Sequence, residues 1–145
     1  MLIDKDRIAQ LIPHASGMCL LDGVQSWDEF RIRCTTSTHR SPGNPLRRNG
    51  LLGILCGIEY AAQAMAVHAA LVAPGSASRR RGYLASLRAV SCHTDRLDLV
   101  PGTLIVEAES PHLAANGAVY AFALLQESQC LIEGRAIVVI EENQT

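Results

Sequence analysis

The sequence predicts an α+β fold in which a six-stranded antiparallel sheet wraps one long central helix. Three observations carry that expectation. A nearly unbroken apolar stretch, NGLLGILCGIEYAAQAMAVHAALVAP, runs from Asn49 to Pro74 and has Ala-rich helical composition. Two strand-like segments precede it and four follow it, an order that suits an antiparallel sheet curled round a helix. The chain has 145 residues, 48% of them hydrophobic, enough for one sizeable core in a single domain over 1–145.

Asp4 is placed to cap a short helix over Lys5 to Ile12, with Ile3 and Ile8 as its hydrophobic staple, and Pro13 stops it. Met18 to Asp28 reads as the first strand and Phe30 to Thr38 as the second. In the second, Phe30, Ile32 and Cys34 alternate with Arg31, Arg33 and Thr35, one face in and one face out. The loop HRSPGNPLRRNG, His39 to Gly50, holds two prolines and two glycines and is expected to be irregular.

The long helix is expected over residues 51–73, opened by Asn49-Gly50 and closed by Pro74-Gly75. At about 1.5 Å per residue it would span roughly 34 Å. Glu59 near its middle argues against a membrane span, where a central acid costs roughly 2.5–3.5 kcal/mol. A buried axis is the better reading, and it leaves Glu59 to be explained. Either a neighbouring Arg satisfies it, or it is a carboxyl in an apolar cleft, poised to exchange a proton. Gln63 lies one turn on and shares its face, whereas His68 sits half a circle away.

After Gly75 to Arg81, GSASRRR, which reads as a mobile link, the chain is strand after strand. The expected segments are Gly82 to Thr94, Thr103 to Ser110, Ala118 to Glu127 and Leu131 to Glu141. Formal net charge is -1 and only 4% of residues are aromatic, which speaks against a nucleic-acid partner. The five cysteines are odd in number and never paired as C-x-x-C. They read as free thiols in a reducing, cytoplasmic compartment. The start, MLIDKDRIAQLIPH, carries acids where a signal peptide wants a basic segment. The five histidines never cluster at ligand spacing along the chain, so neither metal nor cofactor is expected.

IPHASGMCLLDGV, HRSPGNP and GIEYAAQAMAVH, together with GYLASLR after the helix, resemble the hotdog-fold 3-hydroxyacyl-[acyl-carrier-protein] dehydratases, in particular a divergent bacterial group of them. The resemblance runs from His14 to about Val139. It implies a dimer at least, homo or hetero, with sheets joined edge to edge, and a catalytic pair supplied by different subunits. That pair is a loop His before the helix and an acid on it. Glu59 matches the acid and His39 the base, although the step of twenty positions from one to the other exceeds the family spacing. His14, in the family's N-terminal L-P-H motif, is the second candidate for the base and otherwise packs the first strand.

The implied reaction dehydrates a 3-hydroxyacyl thioester on acyl carrier protein to the trans-2-enoyl thioester. His39 takes the proton beside the thioester carbonyl and Glu59 protonates the leaving hydroxyl. Backbone N–H groups at Gly53 and Ile54 hold the developing enolate oxygen, and Gln63 buttresses Glu59. Arg79, Arg80 and Arg81 are either a solvated link or a docking patch for the acidic carrier, with Arg47 and Arg48 as further candidates. Two other functions compete: a hotdog acyl thioesterase using the same Glu59, and a non-catalytic hotdog subunit that partners an active dehydratase.

Overall fold

A computed structural model of the chain describes residues 2–12, 18–72, 80–111, 113–114 and 117–142. Strand β1 (Ile3–Asp4) leads into helix α1 (Lys5–Leu11), whose N-cap is Asp4: its carboxylate accepts from the Arg7 N–H at 3.0 Å. Strands β2 (Gly23–Trp27) and β3 (Arg31–Thr36) follow. Helix α2 (Gly57–Val72) comes next, then β4 (Arg80–Cys92), β5 (Leu104–Glu109), β6 (Leu113–Ala114), β7 (Gly117–Gln126) and β8 (Gln129–Glu142).

All pairings among these strands are antiparallel, in the order β1-β2-β3-β5-β7-β8-β4, with β6 paired to β7. The six long strands are those expected. Among the described residues the sheet nevertheless has eight, because two-residue pieces, too short to show a period, add β1 and β6. The first strand is shorter than expected, since Met18 to Asp22 is not part of a strand, although Asp22 N bonds across to the Thr35 carbonyl at 2.9 Å. Strand β4 already begins at Arg80, where Arg80 and Arg81 pair with Glu142 and Glu141, so those two arginines belong to the sheet and not to a link. Arg79 lies outside the described residues.

Helix α2 packs on β3, β5 and β7 through Tyr60, Ala61, Ala64, Met65 and Val67, all buried against Ile32, Cys34, Val106, Phe122 and Leu124. Gly57 lets the helix start come close to the sheet. A Cβ there would sit 3.1 Å from Ile132 Cγ2 and 3.2 Å from Leu124 Cδ2. His68 is buried too: its ring bonds the Tyr120 hydroxyl at 2.7 Å and the Asp28 carbonyl at 2.9 Å, tying the helix to two parts of the sheet. The stretch is apolar and long enough to cross a membrane by composition, but half of it is buried within this fold, as a core helix requires.

The helix starts later than its composition suggests. Asn49 and Gly50 have φ of 54° and 77° and form a tight reversal, with Arg48 and Leu51 exchanging both backbone hydrogen bonds at 2.9 and 3.0 Å. This is the two-residue hairpin turn that Asn-Gly favours, where both central residues need positive φ. A 3-10 turn at Ile54–Cys56 then feeds α2.

Candidate active site

The loop before the helix is irregular, as its prolines and glycines require, but closely tied down. Thr38–Arg40 form a 3-10 turn. The Asn44 side-chain amide donates to the Thr38 carbonyl and to the Tyr60 hydroxyl, both at 2.9 Å, and Thr38 Oγ1 lies 2.8 Å from the same hydroxyl. Tyr60, buried on the inner face of α2, thus anchors the turn that carries His39.

His39 is fully buried. Its Nε2 faces the Val100 carbonyl at 3.0 Å, while Nδ1 has no hydrogen-bond partner. A carbonyl oxygen only accepts, so Nε2 carries the proton and Nδ1 holds the free basic lone pair. Burial lowers the His39 pKa below its ordinary value of 6.5 and Arg40 and Arg47 push the same way, against the Val100 bond; the ring is neutral at pH 7.

The segment from His93 to Val100 supports both halves of this region. Its Val100 carbonyl orients His39, and Asp98 Oδ1 accepts from Leu52 N at 3.0 Å. Arg96 in turn grips Asp98 at 3.1 Å and 2.5 Å and holds its carboxyl well below the usual carboxylate range. Ile54 N donates to the Asp95 carbonyl at 2.9 Å and Leu97 N to the Leu52 carbonyl at 2.8 Å. The Ile54 N–H is therefore occupied and does not serve as an enolate donor. Gly53 pairs with Arg96 between those two bonds without itself bonding across, and has open space beside its Cα.

Glu59 is exposed in the single chain, on the helix side that bears Leu55, Ala62, Gln63 and Ala66. The expectation of a carboxylate buried on the helix axis is corrected: the apolar composition hid an open face lined by small alanines. Among the described residues no hydrogen bond or ion pair joins Glu59 to His39 or to Gln63. Gln63 does not buttress Glu59; its Oε1 accepts from Leu20 N at 2.8 Å and its Nε2 donates to the Met18 carbonyl at 2.6 Å. It pins the segment after the IPHASG motif to the helix. His14 itself lies outside the described residues.

Arg47 is drawn inward, Nη2 donating to the His39 carbonyl at 3.2 Å and Nη1 to that of Gly50 at 2.8 Å, so it supports the loop and is not a free docking cation. Thr38, Asn44, Tyr60 and Asp98 escaped the sequence reading. Thr38 just before HRSPGNP, Asn44 within it, and a tyrosine beside the helix acid were the available signal. A separate group lies at the far end of β4 and β8: the ligand atoms of His93, Cys130 and Glu133 all fall within 4.8 Å of one another.

An antiparallel sheet around one long helix, with a loop histidine before it and an acid on it, makes this a hotdog-fold chain. It belongs to the ApeP-like family, described as ApeP dehydratase, which it matches over residues 6–145. A chain of the dehydratase heterocomplex ApeI:P from Xenorhabdus doucetiae superposes with TM-score 0.77 at 20% identity, covering 91% of this chain and 89% of that one. A mutant thioesterase from Pseudomonas aeruginosa gives 0.66 at 12% identity, covering 98% and 96%. A thioesterase from Haemophilus influenzae gives 0.66 at 13%, covering 100% and 98%. No curated protein matches the sequence.

Proposed function

We propose that the chain takes part in dehydrating a 3-hydroxyacyl thioester carried by an acyl carrier protein in the cytoplasm, yielding the trans-2-enoyl thioester. The observation that carries this reading is His39: a buried, neutral imidazole with its tautomer fixed by Val100 and its Nδ1 lone pair unspent. In the reaction Nδ1, closed off in the resting chain, is uncovered by a shift of the loop that carries His39 and takes the proton from the carbon beside the thioester carbonyl. The bond from carbon 3 to its hydroxyl oxygen breaks, and a proton from Glu59 completes the departing water. Gly53 N–H, at the start of the helix, is the donor for the enolate oxygen. The fit of the chain to a dehydratase family favours this chemistry over thioester hydrolysis.

Exposure of Glu59, with no hydrogen bond or ion pair joining it to His39 among the described residues, supports completion of the site by a second hotdog subunit. Likeness to a chain of a dehydratase heterocomplex favours a hetero-partner. Glu59→Gln removes the titrating proton and His39→Ala the base. Each should lower turnover of a 3-hydroxyacyl carrier-protein substrate by about two to four orders of magnitude in the assembled enzyme. Free acid as product would replace dehydration by thioester hydrolysis. Full turnover in both variants, with wild-type association to a hotdog partner, would make the chain a non-catalytic subunit.

A further inference from the structure

We propose that His93, Cys130 and Glu133 form a binding site for a borderline divalent metal ion, with zinc as the best match, at the end of the β4–β8 ladder. The proposal stands apart from the dehydratase reading. Cys130 Sγ lies 3.0 Å from Glu133 Oε2, and His93 Nε2 lies 3.9 Å from the same oxygen. Zinc bonds of about 2.0–2.3 Å at tetrahedral angles put ligand atoms roughly 3.4–3.6 Å apart. Small rotations of three side chains, none of them buried, bring the observed spacings to that geometry.

The backbone is already arranged for it. His93 N donates to the Leu131 carbonyl at 2.8 Å, and Cys92 and Ser91 are in register with Ile132 and Glu133. Residues three apart on a regular strand point to opposite faces, which would separate Cys130 from Glu133. Here the ladder slips: Leu124 pairs with Ile132 but Leu125 with Cys130, so Leu131 is an extra residue. That bulge reverses the alternation and turns the thiol toward the carboxylate.

One sulfur, one imidazole nitrogen and one carboxylate oxygen disfavour magnesium and calcium, which want oxygen only, and suit zinc with a water in the fourth position. The bound ion would staple the β7–β8 hairpin to the head of the segment from His93 to Val100. That segment holds the His39 ring and, through Asp98, the approach to the helix.

Cobalt(II) added to the full-length protein tests the site, because thiolate coordination gives a near-ultraviolet charge-transfer band. One cobalt per chain should bind with that band, and zinc should displace it. Cys130→Ser should abolish the band, whereas Cys92→Ser, at the neighbouring thiol, should leave it intact. His93→Ala and Glu133→Gln should each weaken cobalt binding at least about tenfold, the least that losing even an outer-shell partner costs. Zinc should raise the thermal midpoint of wild type but not of Cys130→Ser. A missing band at saturating cobalt, or a band lost in Cys92→Ser and kept in Cys130→Ser, overturns the proposal and leaves the cluster a set of hydrogen bonds.

Discussion

Two histidines in this chain each face one backbone carbonyl, and they differ at the other ring nitrogen. His68 spends it on the Tyr120 hydroxyl, whereas His39 leaves Nδ1 without a partner. Burial is the largest cause lowering both pKa values below 6.5. The sign of the pH effect follows. Above 6.5 both folded and unfolded chains hold these rings neutral, and their contribution to stability is complete. As pH falls through 6.5 the unfolded chain takes up protons that the folded chain refuses until its lower values are reached, so stability drops across that interval. Urea unfolding at neutral pH and at about pH 5.5 should show a smaller unfolding free energy at the lower value. Equal stability at the two would mean that the rings charge freely in the fold. That His39 was a candidate base was legible from HRSPGNP. Which of its nitrogens is free was not, because the Val100 carbonyl that decides it comes from a segment far along the chain.

Alternation of apolar and polar residues made the six long strands legible, and Gly-Pro punctuation made the loop before the helix legible. Features set by strand irregularity were hidden. The slip at Leu131 turns Cys130 to the side of Glu133, and no spacing rule along the sequence brings His93 to them. A second slip in β4, between Arg88 and Ser91, places exposed Ala89 at φ 54°. A residue with a Cβ is disfavoured there by roughly 1–2 kcal/mol. Glycine avoids that cost but gives the unfolded chain about 0.4–1 kcal/mol of extra freedom. Ala89→Gly should therefore stabilise the protein by about 0.5–1 kcal/mol in urea unfolding. A loss of stability would show that the Ala89 methyl makes a packing contribution that outweighs the backbone cost.

At the scale of the molecule, the sheet order ends on β4, a thirteen-residue strand whose far edge has no neighbour among the described strands. The strand carries Leu84 and Leu87, 40% and 38% exposed, and Val139 beside it on β8 is 40% exposed. A long unpaired edge bearing exposed leucines invites pairing with another chain. The exposed Glu59 face of α2 belongs to the same argument, since a carboxylate does acid chemistry best where a partner excludes water. The family resemblance implied a dimer joined edge to edge, but periodicity alone did not show which strand or helix face it covers: a periodic strand and an alanine-rich helix read the same whether their faces are covered by the chain itself or by a neighbour. Leu84→Glu combined with Leu87→Lys should therefore leave the single chain folded, because neither side chain belongs to the buried core, while preventing assembly across β4. Light scattering should give the mass of one chain for the double variant and of at least two for wild type, with or without an added hotdog partner. Far-ultraviolet circular dichroism should be the same for both. On the proposed two-subunit site, turnover of the thioester should fall with assembly. A variant that remains assembled would move the interface away from β4, and one that is monomeric yet fully active would place both His39 and Glu59 chemistry within a single chain.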